Sequence, residues 1–389
     1  MGIKGLTKFF AQHLTNPNCV RTVNADTLRD KVIAIDSSIY LYKFICAIKN
    51  NCTDIFSADG QVVTHIHAIL TKLFSLLKRK IKPIFVFDNA SGEAKQNLMK
   101  KRTEKKNLAK SQIMELRNRI SEIRHVMKTP PETQEDIEHY KRLFSEFMEK
   151  RNELKKCLKK SAGFSTSQSN QCKELLRLIG VPYINSLEEA DPQCSQLVKS
   201  GIAYAVSSED MDILTFGTPR LITSLSAKQT CKIYDLNLIL ADLDITYDQF
   251  IDVCILLGCD YTCTIRGLGI KKILEQIIDH GNIEGIIASE QFIIPEDFDY
   301  LLARKMFTDS PIIEAPNVSW TVPDYPALKE YLQINYSYTD DEYGRISDVL
   351  KGGYYSVISG EKNMGTYQKD CRDFRRRQKA MISLDSDED

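Results

Sequence analysis

Short apolar runs alternate along this chain with longer segments of helical period. Residues 31–35 form one such run and end at Asp36, with Ser37 and Ser38 following. Residues 81–87 form a second and end at Asp88. A third, 202–206, lies between Gly201 and the pair Ser207 and Ser208, and leads to Asp210 and Asp212. Runs of this length bounded by turn residues predict buried strands. Apolar spacing predicts helices over 39–48, which contains Tyr40, Tyr42 and Phe44, and over 63–77. Residues 172–179 are amphipathic and stop at Gly180, 181–184 predict a brief strand, and 247–257 predict another helix. Strands alternating with helices predict an α/β fold: a mostly parallel central sheet flanked by helices.

Three of these strands end in an aspartate. Any one of them is explained by helix capping. Together, Asp36, Asp88 and Asp210 reach the C-terminal end of a parallel sheet, where α/β proteins bind ligands. Unpaired carboxylates are costly to bury, so such a group is either solvated or holds cations. Residues 187–191 open a helix whose apolar face is Ala190, Cys194, Leu197 and Val198. Its acidic start, Glu189 and Asp191, also suits the helix dipole.

Two stretches change character. Residues 95–160 carry 19 Lys and Arg against 10 Asp and Glu. They read as two long charged helices broken at Thr129, Pro130 and Pro131. A solvated hairpin and a basic excursion gripping a phosphate backbone both fit this composition. Lys95 and Arg102 share a helix face close to Asp88. Residues 161–170 form a polar link back to the body. Further on, Gly267 and Gly269 lead into a helix over 270–280 with Lys271 and Lys272 in its first turn. A Gly-x-Gly turn exposes backbone N–H groups to a phosphate, and lysines there oppose the dipole unless an anion lies between. Residues 295–344 read as small helices with Pro-containing loops around Trp320, the single tryptophan. The tail carries Arg372, Arg375, Arg376 and Arg377 before an acidic end, and is expected to be disordered.

Whole-chain composition is that of a globular protein: 389 residues, 43% hydrophobic, 27% charged, formal net charge zero. There is no apolar run long enough for a membrane span and no secretory leader. Leu6 stands where a myristoylation signal needs Ser or Thr. Eleven cysteines without a CxxC pair point to reduced thiols in an intracellular protein.

These motifs resemble the flap endonucleases, the structure-specific 5′ nucleases of the FEN/XPG class, from Met1 to about residue 345. The resemblance places the family's active-site carboxylates on Asp36, Asp88, Glu189, Asp191, Asp210, Asp212 and Asp260. Asp191 stands where the family usually has Glu. Lys95 and Arg102 match its catalytic basic pair, and Tyr42 the aromatic on which the nucleotide beside the scissile phosphate stacks. Gly2 would be the N-terminus after methionine removal. Residues 258–272 match its helix–two-turn–helix element, with Gly267, Gly269, Lys271 and Lys272 toward the phosphates and Thr264 as a ligand to potassium.

The implied organisation is an N-terminal nuclease region (1–105), an inserted basic helical arch and link (106–170), an internal nuclease region (171–345) and a tail (346–389). The implied activity is Mg²⁺- or Mn²⁺-dependent cleavage of DNA 5′ flaps, with 5′→3′ exonuclease activity, in replication and repair. Asp36, Asp88, Glu189 and Asp191 would serve mainly one ion, and Asp210, Asp212 and Asp260 the other, leaving 5′-phosphate and 3′-hydroxyl ends. Implied partners are branched or flapped duplex DNA, with a monomeric protein at a nuclear or other replication site. Two alternatives stand beside this reading: an RNA-cleaving enzyme of the same fold and a catalytically inactive branched-DNA scaffold. The spacing of 87 residues from Arg102 to Glu189 is long for the family. Gln378 to Met381 begins like a sliding-clamp motif, but Ser383 and Leu384 stand where it needs aromatics, so clamp binding is not expected.

Overall fold

The computed structural model describes residues 2–49, 54–89, 93–129, 133–161, 163–225 and 229–354. Its strands are β1 (Val20–Asn24), β2 (Val32–Asp36), β3 (Lys82–Phe87), β4 (Tyr183–Asn185), β5 (Ala205–Ser207), β6 (Arg220–Thr223) and β7 (Thr230–Asp235). They form one seven-stranded sheet in the order β1-β7-β6-β5-β2-β3-β4. The run from β6 to β4 is parallel, while β7 pairs antiparallel with both β6 and β1. The helices are α1 (Leu6–His13), α2 (Ser37–Lys49), α3 (Thr64–Leu77), α4 (Glu93–Val126), α5 (Gln134–Ser161), α6 (Thr166–Ile179), α7 (Ala190–Lys199), α8 (Leu236–Leu243), α9 (Tyr247–Leu257), α10 (Ile270–His280), α11 (Ile283–Ala288), α12 (Tyr300–Thr308), α13 (Tyr325–Tyr336) and α14 (Asp340–Val349).

Strand period divides the core between the two faces. In β2, Ile33 and Ile35 join the cluster containing α3 and α6, while Ala34 joins the one containing α7 and α9. Such two-sided burial is why the parallel strands read as continuous apolar runs.

Some elements shift from their expected places. The third strand begins at Ala205, not at 202, because Ala203 N–H closes onto Leu197 O at the end of α7 (2.8 Å). The fourth begins at Tyr183, after Pro182, which has no N–H to offer a ladder. The expected link over 161–170 is mostly helix: Ser165 and Gln168 form a capping box that starts α6. The expected tail also begins later than 346. Ile346, Val349, Leu350 and Tyr354 are all buried against the α3–α6 side. Residues 355–389, including the Gln378 to Met381 stretch and the four arginines of the tail, lie outside the described residues, as do Pro130 and Pro131.

The basic excursion is an antiparallel helical pair. The less exposed positions of α4 are Ala109, Ile113, Leu116, Ile120 and Ile123, at alternating intervals of four and three. Those of α5 follow the same rhythm at Tyr140, Leu143, Phe147, Lys150, Leu154 and Cys157. This is the seam of a two-stranded coiled coil. Arg119 forks across it onto Glu146, with Nε–Oε1 at 2.9 Å. The pair is partly exposed, so it adds little stability. At 1.5 Å per residue the 34-residue α4 is about 50 Å long.

Helix α3 runs through the core and carries two buried histidines. Burial holds both His65 and His67 at about 4, against an ordinary 6.5; the Gln171 side chain offsets this only partly for His65, and Glu342 only partly for His67. Between pH 6.5 and 4 the unfolded chain binds protons that the folded chain refuses. Stability therefore falls as pH drops through that window, by on the order of 3 kcal/mol per histidine. Urea denaturation at pH 7 and 4.5 should show a smaller loss in His65→Leu than in the wild type. An equal loss would mean that His65 takes no part in the acid sensitivity.

Candidate active site

Four neighbouring parallel strands, β5-β2-β3-β4, end side by side, and each delivers acid at its C-terminal end. β2 ends on Asp36, and Asp88 follows β3 directly. β4 leads to Glu189 and Asp191 at the start of α7. β5 leads to Asp210 and Asp212 at the start of a 3₁₀ turn, Met211–Phe216.

Local bonds fix most of these side chains. Asp36 is buried. Its Oδ1 accepts from Ile39 N–H (3.1 Å), capping α2, and its Oδ2 accepts from the Ser208 hydroxyl (2.9 Å). Capping and membership of the acidic group are thus the same fact. Asp88 Oδ1 accepts from Ala190 N–H (2.7 Å), tying β3 to the start of α7. Asp210 accepts from Asp212 N–H (3.3 Å), and Asp212 from Ile3 N–H (2.5 Å). Glu189 is the N-cap residue of α7 without a side-chain cap bond.

Electrostatics show which carboxylates meet. Asp191 is raised well above its ordinary value, first by burial and then by Asp36, Asp210, Asp88 and Asp212. Asp36 is raised to about 7, first by burial and then by Asp88, with Asp210 adding to the rise. Asp191 therefore lies among the acids of both sides. Asp260 follows α9 and comes up beside Asp212, since the Cys259 thiol, raised first by burial, is raised further by both. The ion pair of Arg304 with the buried Asp252 (2.8 Å) joins α12 to α9 and involves none of these acids.

The N-terminus closes the site. Gly2 has φ +95°, and a Cβ there would strike Asp210 Oδ1 and lie 3.1 Å from Asp212 Oδ1. Lys4 N–H then donates to Gly258 O (2.9 Å), joining the acids to the turn that holds Asp260. Met1 lies outside the described residues.

Residues 258–269 connect α9 to α10. Ile265 and Leu268 are buried, whereas Thr264, Gly267, Gly269, Lys271 and Lys272 are exposed. Gly267 has φ +89°, which favours glycine, and neither it nor Gly269 has any atom within 4 Å of a Cβ position. Gly269 is the exposed N-cap of α10 and brings no side-chain cap to its first amides. Tyr42 is on α2 with its ring about one-third exposed (36%). Lys95 and Arg102 belong to the first three turns of α4, but their side chains lie outside the described portion. Sequence reading missed the Ser208 hydroxyl and the Ile3 amide, and no local signal marks either.

Models of the XPG N-terminal domain and the XPG I-region match residues 1–109 and 180–260. Flap endonuclease 1 of Chlamydomonas reinhardtii is 32% identical over 361 residues, covering 89% of this chain and 83% of the relative. The chain belongs to the flap endonuclease family. The flap endonuclease fold is also shared with two solved structures. Flap endonuclease-1 from Methanococcus jannaschii is 23% identical with a TM-score of 0.62, covering 91% of this chain and 99% of that one. The catalytic core of Rad2 in complex with DNA substrate is 19% identical with a TM-score of 0.62, covering 90% and 100%. Between the two domain matches, residues 110–179 of this chain hold most of the coiled-coil arm.

Nucleases of this family depend on divalent metal. The acids here are all oxygen donors, which suits a hard cation. Among the described residues no three of them close into a ready-made ligand shell.

Proposed function

We propose that this chain is a divalent-metal-dependent, structure-specific DNA endonuclease that cuts 5′ flaps, with 5′→3′ exonuclease activity, and that it serves replication and repair. The observation that carries this reading is the row of acids at the ends of β5, β2, β3 and β4, close enough to raise one another. The solved Rad2 neighbour is a complex with DNA substrate, which supports DNA as the ligand.

In this reading Asp36, Asp88, Glu189 and Asp191 would hold mainly one Mg²⁺ or Mn²⁺, and Asp210, Asp212 and Asp260 mainly a second. Bound metal supplies an acidified attacking water and positive charge for an in-line displacement. Gly2 and Ile3 keep Asp210 and Asp212 in place, and Ser208 orients Asp36. Lys95 and Arg102 balance charge on the phosphate, the arginine with a fork of donors. Tyr42 stacks a nucleotide drawn from the duplex; stacking returns about 1–3 kcal/mol of the few spent on unstacking. The open amide end at Gly267 and Gly269, with Lys271 and Lys272, holds duplex phosphates, and Thr264 helps to hold a potassium ion. The arm, with its foot at Lys95 and Arg102, is the substrate-sorting insertion between two nuclease regions. The chain acts as a monomer in the nucleus or another replication site.

A panel of flapped, gapped, bubbled and nicked DNA beside a structured RNA, with Mg²⁺ or EDTA, tests this. Metal-dependent cutting at the flap junction is expected. Preferential RNA cleavage would replace the substrate, and no cleavage at all would leave a branched-DNA scaffold.

A further inference from the structure

Lys173 belongs to the third turn of α6, near the end of the sheet where β3 delivers Asp88. It is partly buried, with Nζ 5.3 Å from the centroid of the Phe87 ring, the residue before Asp88. Burial is the main influence on this ammonium and lowers its pKa, while Cys172 and Asp88 pull the other way. It stands within electrostatic reach of Asp88 but forms no ion pair with it. Asp88 Oδ1 is taken instead by the Ala190 amide. Apart from the Phe87 ring face and the more distant charge of Asp88, the Lys173 ammonium has no hydrogen-bond or ion-pair partner among the described residues.

A cation held partly out of water without a hydrogen-bond acceptor is unfavourable in the free protein. Lysines near acidic groups ordinarily relax into ion pairs; this one lies over the Phe87 ring instead. Its free donors therefore suit an anion that arrives from outside.

We infer that Lys173 is a substrate-contacting residue whose ammonium binds a backbone phosphate of the nucleic acid on the Asp88 side of the site. The inference rests on the nuclease reading above and adds to it a basic contact from α6, outside the arm and outside the Gly267–Lys272 element. A lysine can swing three donors toward a phosphate as a point charge and needs no fixed fork geometry.

The test is Lys173→Met, which keeps the aliphatic stem on Phe87 and removes the charge, with Lys173→Arg as the rescue. Binding of a 5′-flap DNA is measured in EDTA across a salt series, and cleavage as a single-turnover rate with Mg²⁺. One lost phosphate contact lowers the slope of log K against log salt by about 0.7–0.9. Binding or the single-turnover rate should fall roughly tenfold to a hundredfold, as for loss of a charge-assisted hydrogen bond. Lys173→Arg should recover most of both, and the melting temperature of Lys173→Met should stay near the wild-type value. A wild type that cleaves, with an unchanged slope and rate in Lys173→Met, overturns the assignment of Lys173 alone. A loss in Lys173→Met that arginine fails to rescue and that follows a fallen melting temperature also overturns it, in favour of a packing role. A wild type that neither binds nor cleaves overturns the nuclease reading, and this contact with it.

Discussion

Asp36→Asn should abolish flap cleavage while leaving the fold intact and, in the absence of metal, more stable above neutral pH. The substitution keeps an oxygen for the Ile39 amide and an isosteric group facing the Ser208 hydroxyl, so the start of α2 remains capped. What it removes is the charge. A metal-assisted displacement draws several kcal/mol from its ions, so with Asp36 as a principal ligand in the proposed function its loss should lower the single-turnover rate roughly 10³-fold or more. The stability effect runs the other way. Asp36 is raised to about 7 from 3.8, first by burial and then by Asp88. Between those values the folded chain keeps a proton that the unfolded chain has shed. The stability tied to this carboxyl is complete below pH 4 and lost as pH rises through 7. Thermal melts of the metal-free wild type should therefore decline across that window, and those of Asp36→Asn should decline less. Added Mg²⁺ should raise the wild type more than the variant. A variant that cleaves within tenfold of the wild type would remove Asp36 from the chemistry.

Gly2→Ala is expected to reduce kcat about 100-fold with a small change in KM. Gly2 has φ +95°, which alanine adopts only with strain, and the added methyl would occupy the space of Asp210 Oδ1. The first residues cannot move away freely. Ile3 N–H holds Asp212 and Lys4 N–H holds Gly258 O, so displacing the N-terminus shifts three acids, Asp210, Asp212 and Asp260, at once. A misplacement of about 1 Å at a reacting centre is enough for a 100-fold loss. The fold should survive, since the strain amounts to about 1–3 kcal/mol in a chain with two large apolar clusters. Steady-state kinetics on one flap substrate separates kcat from KM. An unchanged kcat would mean that the N-terminal segment only packs.

The parallel half of the fold was legible because burial on both faces makes β2 and β3 continuous apolar runs that stop at Asp36 and Asp88. The antiparallel half was not. β6 is four residues long, and β7 has the alternating pattern of a half-exposed strand within a short, mixed segment. The coiled-coil seam was present as apolar positions spaced four and three from Ala109 to Ile123 and from Tyr140 to Cys157. It is diluted by charge, and Lys150 is one of its positions, so composition alone left a solvated hairpin as an equal reading. The carboxylate positions could be named from the family resemblance. Their coupling could not, because it depends on strand order: β2 lies between β5 and β3, which no local pattern encodes. Ser208 and the Ile3 amide act through bonds spanning 172 and 209 residues, and no spacing rule reaches so far. The same distance hides Lys173, whose role depends on lying beside a phenylalanine 86 residues earlier in the chain.

If these acids form one cradle for divalent metal beneath a DNA phosphate, the bound ions can be counted. Electron paramagnetic resonance of Mn²⁺, on wild type and Asp36→Asn with a flap DNA present, does this most directly. Two ions per wild-type chain are predicted, with one or none in Asp36→Asn. No specific Mn²⁺ binding by the wild type, or the same number of ions in the variant, would contradict it.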